Sequence, residues 1–132
     1  MLMTAASVKD ELDDILSRWH HWASRASAAR GFAPKSLVVG DYQVSRQYDD
    51  ANGALDSDLE SRTMKTVDFQ VQQLNAFWRM AIHAEARNLV AGWECFINPR
   101  LPENRVDRRA VIDLARAALV VRLRSAGVMD RA

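Results

Sequence analysis

The sequence predicts an all-α fold, a compact bundle of about four main helices with a long irregular loop after the first. Apolar side chains recur at three- and four-residue steps through most of the chain, the period of a helix with one buried face. Helix start and stop residues bracket those stretches. A length of 132 residues, 48% hydrophobic and 27% charged, is ordinary globular composition for one domain. A chain of that size buries roughly two thirds of its unfolded surface, enough for a core without metal or disulfide staples.

The first helix is expected over about residues 7–30. Ser7 and Asp10 form a variant of the capping box. Asp10, Glu11, Asp13 and Asp14 crowd the first turns, where the helix dipole favours negative charge. Arg25 and Arg30 lie near the other end, and Gly31 supplies a stop. Val8, Leu12, Ile15, Leu16, Trp19, Trp22 or Ala23, and Ala26 make the inward stripe. Residues 31–54 lose the period and are punctuated by Gly31, Pro34, Gly40, Asn52 and Gly53. Residues 36–39 and 42–44 have the character of short extended pieces, too isolated for a sheet. A loop of about twenty residues is uncommon in a compact domain and often functional. That places Arg46 and Tyr48 among the candidate partner-binding residues, together with Trp22 of the first helix.

Helical character resumes near Asp56, with Ser57-Asp58-Leu59-Glu60 as a capping pattern. Leu55, Leu59, Met64, Val67, Val71 and Leu74 follow on one stripe, and Asn75 is a cap or kink. A third helix runs from Phe77 to Gly92, its alanines suited to close packing. Gly92 to Pro102 is a connector, since Asn98-Pro99 and Leu101-Pro102 disfavour helix before each proline. The last helix starts between Asn104 and Asp107 and ends near Ser125, with Gly127 as its stop. Val111, Leu114, Ala115, Ala118, Leu119 and Val121 are its expected inward set.

Cys95 is the only cysteine, so no intrachain disulfide forms, which fits a reducing compartment and argues against a small secreted scaffold. Charged residues follow the N-terminus at once, which leaves no room for a signal peptide. The longest apolar run near the end falls far short of a membrane span. A cytoplasmic protein without membrane association is therefore expected. Net charge is +1, but its distribution is uneven. Residues 1–60 carry six bases against ten acids, whereas residues 100–132 carry eight arginines against four acids.

Nothing in the chain has the spacing of an enzyme site. His20 and His21 are adjacent and diverge by about 100° on a helix, so they do not chelate one metal. Neither a CxxC nor an HExxH pattern occurs, and no glycine-rich phosphate loop is present. No cofactor or small-molecule substrate is expected. Asp49-Asp50 and Asp56-Ser57-Asp58 belong to a loop and a helix start, where dipole complementation accounts for them. A hydrolase built on Cys95 and His83 needs those two within hydrogen-bond reach, and the plain reading of Cys95 is a small buried hydrophobe. Trp19, Trp22, Trp78 and Trp93 read mainly as core.

Arg105, Arg109 and Arg116 share one face of the last helix, with Arg108 beside them. Guanidinium groups hold phosphates bidentately and read guanine edges, so these four are the candidate nucleic-acid-binding residues. A solvated face in which Asp113 pairs with Arg109 explains the same spacing.

Arg18-Trp19-His20-His21-Trp22-Ala23 resembles the opening of small phage late-gene antitermination proteins of the Q type. Asp49-Asp50-Ala51-Asn52-Gly53 and residues 67–74 are similar to that family's acidic turn and a following helix. Residues 45–49, 52–56, 86–89 and 99–102 also resemble a related group of prophage proteins. The resemblance implies a non-catalytic transcription regulator binding DNA, RNA polymerase or both, with a C-terminal half similar to sigma region 4. Residues 97–102, with two prolines, stand where the family has a short helix and tight turn. The zinc-binding cysteines of some members have no counterpart. The other expectation is a protein–protein interaction or assembly module using the Trp-bearing first helix, which predicts self-association as a homo-oligomer or an exposed apolar strip including Trp22.

Overall fold

A computed structural model describes residues 5–27 and 51–130. Among the described residues it is all-α and contains no strand, as the periodicity predicts. The helices are α1 (Ala5–Ser27), α2 (Ala51–Gln72), α3 (Ala76–Ala91) and α4 (Arg105–Ser125). None is long and apolar enough to cross a membrane. The proposed extended pieces at 36–39 and 42–44, with Arg46 and Tyr48, lie outside the described residues.

The helix α3 is the axis of the bundle. It packs most extensively against α1 on one side and α4 on the other, while α2 closes the remaining side against α1 and α4. Ala81, Ala84 and Ala86 are buried, and their small side chains let the neighbouring helices approach closely. Around them the core gathers Leu12, Ile15, Leu16 and Trp19 of α1 with Met64, Val67 and Val71 of α2. Ile82 of α3 and Ile112, Leu119 and Leu123 of α4 complete it. Trp19 is only 1% exposed, and its Nε1 donates to Asp68 Oδ1 at 3.2 Å, so the polar edge of the indole is satisfied.

Both ends of two helices follow the sequence reading closely. Asn75 caps α3 by accepting from the Trp78 backbone N–H at 2.8 Å, and Gly92 ends that helix at φ 84°. Asn104 caps α4 by accepting from Val106 and Asp107 N–H at 2.8 and 3.2 Å, and Gly127 follows with φ 81°.

Three expectations need correction. Helix α1 starts at Ala5, so Ser7 lies within it and no acid falls in its first turn. Ala5 and Ala6 are strong helix formers and carry the helix past the capping residue. Helix α2 starts at Ala51 rather than near Asp56, taking in Asn52 and Gly53 and placing Ser57 inside the helix. A single glycine costs about 1 kcal/mol in a helix, which a long helix packed on its neighbours absorbs. The third concerns which way α4 faces. Ala115 and Leu119 are buried and Val111 and Ala118 half-buried as expected, but Leu114 is 60% and Val121 64% exposed. The buried side of α4 is instead Ile112, Ala115, Leu119 and Leu123, flanked by Arg108 and Arg116.

Candidate functional site

The side chains that set the surface chemistry of the bundle meet along the α3–α4 seam. Glu85, the one buried acid among the described residues, sits in the alanine-rich middle of α3. An isolated carboxylate there would be severely penalised, so its partners define the seam. Arg109 donates to it through Nη1 at 3.1 Å and Nη2 at 2.8 Å, a two-pronged contact. Arg116 donates to the same carboxylate through Nη1 at 2.8 Å. The Nη2 of Arg116 reaches α1, where it donates to the Lys9 carbonyl at 3.3 Å and lies 2.7 Å from Asp13 Oδ1. The Asp13 contact is a charge contact, not an aligned hydrogen bond. One carboxylate and two guanidiniums thus join three helices. Arg109 also donates through Nε to Asp113 at 3.0 Å, and the Glu85 carboxylate holds the Arg109 proton more tightly than usual.

A second cluster fixes the connector between α3 and α4. Asn88 uses both ends of its amide on one residue: Nδ2 donates to the Phe96 carbonyl and Oδ1 accepts from the Phe96 N–H, each at 2.9 Å. The Arg87 guanidinium lies over the Phe96 ring, 4.6 Å from its centre. From α4, Arg108 donates to both oxygens of Glu94 at 3.0 and 3.1 Å and to the carbonyls of Pro102 and Glu103 at 3.2 and 2.7 Å. That hydrogen bonding holds the Glu94 carboxyl below its ordinary range. Between the two clusters lies a shallow cleft of about 270 Å³, lined by Leu89, Trp93, Arg105 and Ile112 among others.

The four candidate arginines do not form one exposed surface. Arg108 and Arg116 are 5% and 6% exposed, and their donors are taken up inside the molecule. Arg109 is half-exposed but paired to Glu85 and Asp113. Arg105 is exposed and makes no ion pair among the described residues. Trp22 is half-buried against the core, with its Nε1 donating to Ser61 Oγ at 3.3 Å. It does not present an open aromatic surface. The exposed tryptophan is Trp93, at 68%, held outward by the connector.

Cys95 is exposed rather than buried, and its Sγ donates to Asn88 Oδ1 at 3.4 Å. His83 packs against Trp19 with the rings tilted by 52° and 4.9 Å between their centres, and no hydrogen bond joins it to Cys95. Burial lowers the affinity of His83 for a proton, partly countered by Asp68. Among the described residues no three His, Cys, Asp or Glu side chains gather as metal ligands.

The outward side of α4 is the remaining feature. Val106 (76% exposed), Leu114 and Val121, with exposed Ala110 and Ala117 between them, fall within an arc of about 80° on a helix of 3.6 residues per turn. That arc lies roughly opposite the buried side. The helix is apolar on two faces, and only one is covered. Spacing alone misplaces this strip, because Leu114 and Val121 also fit a helical period with Ala118 and Val111. The signal that separates the faces is Glu85, whose burial draws Arg116 inward and so fixes the rotation of α4. No protein-family model, curated protein or solved structure matches the chain.

Proposed function

We propose that this chain is a non-catalytic helical interaction module that docks a protein through the outward face of α4. The observation that carries the reading is the exposed strip of Val106, Leu114 and Val121, with small alanines between them, on a helix whose opposite face is already packed. Exposed large apolar residues scattered singly are ordinary, but three in register on one helix, with alanines between them, mark a docking surface. A Leu114→Glu, Val121→Glu variant tests it. Both side chains are exposed, so helix content and melting temperature stay as in the parent, while association with a second copy or with purified RNA polymerase is lost. Retention of every such association by the variant refutes the reading.

A narrower second reading keeps transcription control with direct DNA contact, as the antitermination resemblance implies. It is favoured by exposed Arg105 in the first turn of α4 and exposed Arg100 on the connector. Arg108 and Arg116 take no part in it: freeing Arg116 would break its contact with the buried Glu85 carboxylate, and freeing Arg108 would undo its contacts with Glu94 and the Pro102 and Glu103 carbonyls. Fluorescence anisotropy with mixed duplex DNA at low salt tests it: binding must weaken steeply with salt and in Arg105→Ala. Absence of salt-sensitive binding rules it out.

A further inference from the structure

We infer that the partner seated on the outward face of α4 is a second copy of this chain, packed antiparallel about a two-fold axis beside Leu114. The inference rests on the docking reading above and commits it to one occupant.

A two-fold interface brings one patch against its own inverted copy, so the patch must match itself when read backwards. The strip does. In chain order it reads Val106, Ala110, Leu114, Ala117, Val121, the same side chains in either direction. Antiparallel pairing sets Val106 against Val121 of the partner subunit and Ala110 against Ala117 of the partner subunit. The two copies of Leu114 then meet at the axis. All these layers share one axis to within a residue, about 1.5 Å along the helix. Large residues at the centre and ends with alanines between them interdigitate at close helix separation.

Antiparallel helices oppose their dipoles favourably. Asp113, next to the axis, keeps Arg109 as its counter-ion at 3.0 Å. A single helix pair buries less than the roughly 1,200 Å² at which stable interfaces begin, so the dimer is a weak one with micromolar dissociation.

The test uses the full chain with exposed Cys95 replaced by serine. Light scattering between about 1 µM and 1 mM should show the mass rising from monomer to dimer. Leu114→Glu sets two carboxylates together at the axis, so dimerisation weakens at least about a hundredfold while far-ultraviolet circular dichroism is unchanged. Register is read by oxidation. Leu114→Cys cross-links to itself, whereas Val106→Cys cross-links only when mixed with Val121→Cys. A monomer at every concentration, a dimer indifferent to Leu114→Glu, or self-cross-linking of Val106→Cys each overturns the inference. A monomer that binds purified RNA polymerase and loses it in Leu114→Glu overturns the dimer alone and leaves the docking reading intact. A monomer that binds neither overturns both.

Discussion

Replacing Glu85 with alanine removes the hub of the α3–α4 seam, and its cost follows from what is stranded. Arg116 is 7% exposed at its side chain and loses its 2.8 Å contact with the carboxylate. It retains only the Asp13 charge contact and the Lys9 carbonyl. Arg109 loses two hydrogen bonds but is half-exposed and keeps Asp113. Breaking a buried pair by removing one partner costs about 3–5 kcal/mol, and the residual Asp13 contact puts this case near the lower end. At about 4 °C per kcal/mol for a domain of this size, the melting temperature should fall by about 12 °C. Urea unfolding followed by tryptophan emission is the assay, since Trp19 is buried in the core. Pairing Glu85→Leu with Arg116→Met should recover most of the loss, because an apolar pair of similar volume replaces a buried ion pair at little cost. A drop below about 1 kcal/mol for Glu85→Ala, or no recovery in the pair, refutes the structural role assigned to Arg116.

Arg108→Lys should fail to substitute for arginine, because a single ammonium does not span both Glu94 oxygens and two carbonyls; faster proteolysis of residues 93–103 reads the loosened connector. Since Glu94 ionises more readily in the folded chain, its contribution is present above about pH 4.5 and is lost as pH falls through its lower folded value; the Arg108→Lys variant should show a flatter acid limb. His83 resists protonation when folded, so stability should decline as pH drops below the ordinary histidine value of 6.5, and His83→Gln should remove that part of the slope. Trp19→Ala should cost about 3–5 kcal/mol in urea titration, whereas Trp93→Ala should leave stability unchanged and remove the most red-shifted emission.

Helices α3 and α4 were legible nearly to the residue because Asn75, Gly92, Asn104 and Gly127 are local signals whose partners lie within one turn. The start of α2 was not, since Asn52-Gly53 reads as a turn and no local signal marks the helix that runs through it. The arginines failed for the same reason. Their spacing is a property of α4, but Glu85 and Asp13, which turn Arg116 inward, belong to other helices, and Glu94, which holds Arg108, belongs to the connector. Glu85 between Ala84 and Ala86 was the available clue, since a carboxylate flanked by small residues at a packing face must have a cation near it.

Asn88 performs for the connector what a neighbouring strand performs elsewhere, answering the donor and the acceptor of Phe96 with one side chain. Aspartate has the shape but two acceptors, and leucine has the volume but neither group. Both contacts must rupture together for the segment to lift, so its opening is all-or-none rather than gradual. The amide proton of Phe96 and the surroundings of Trp93 should accordingly exchange between two states in step, making the tryptophan a reporter of a hinge three residues away.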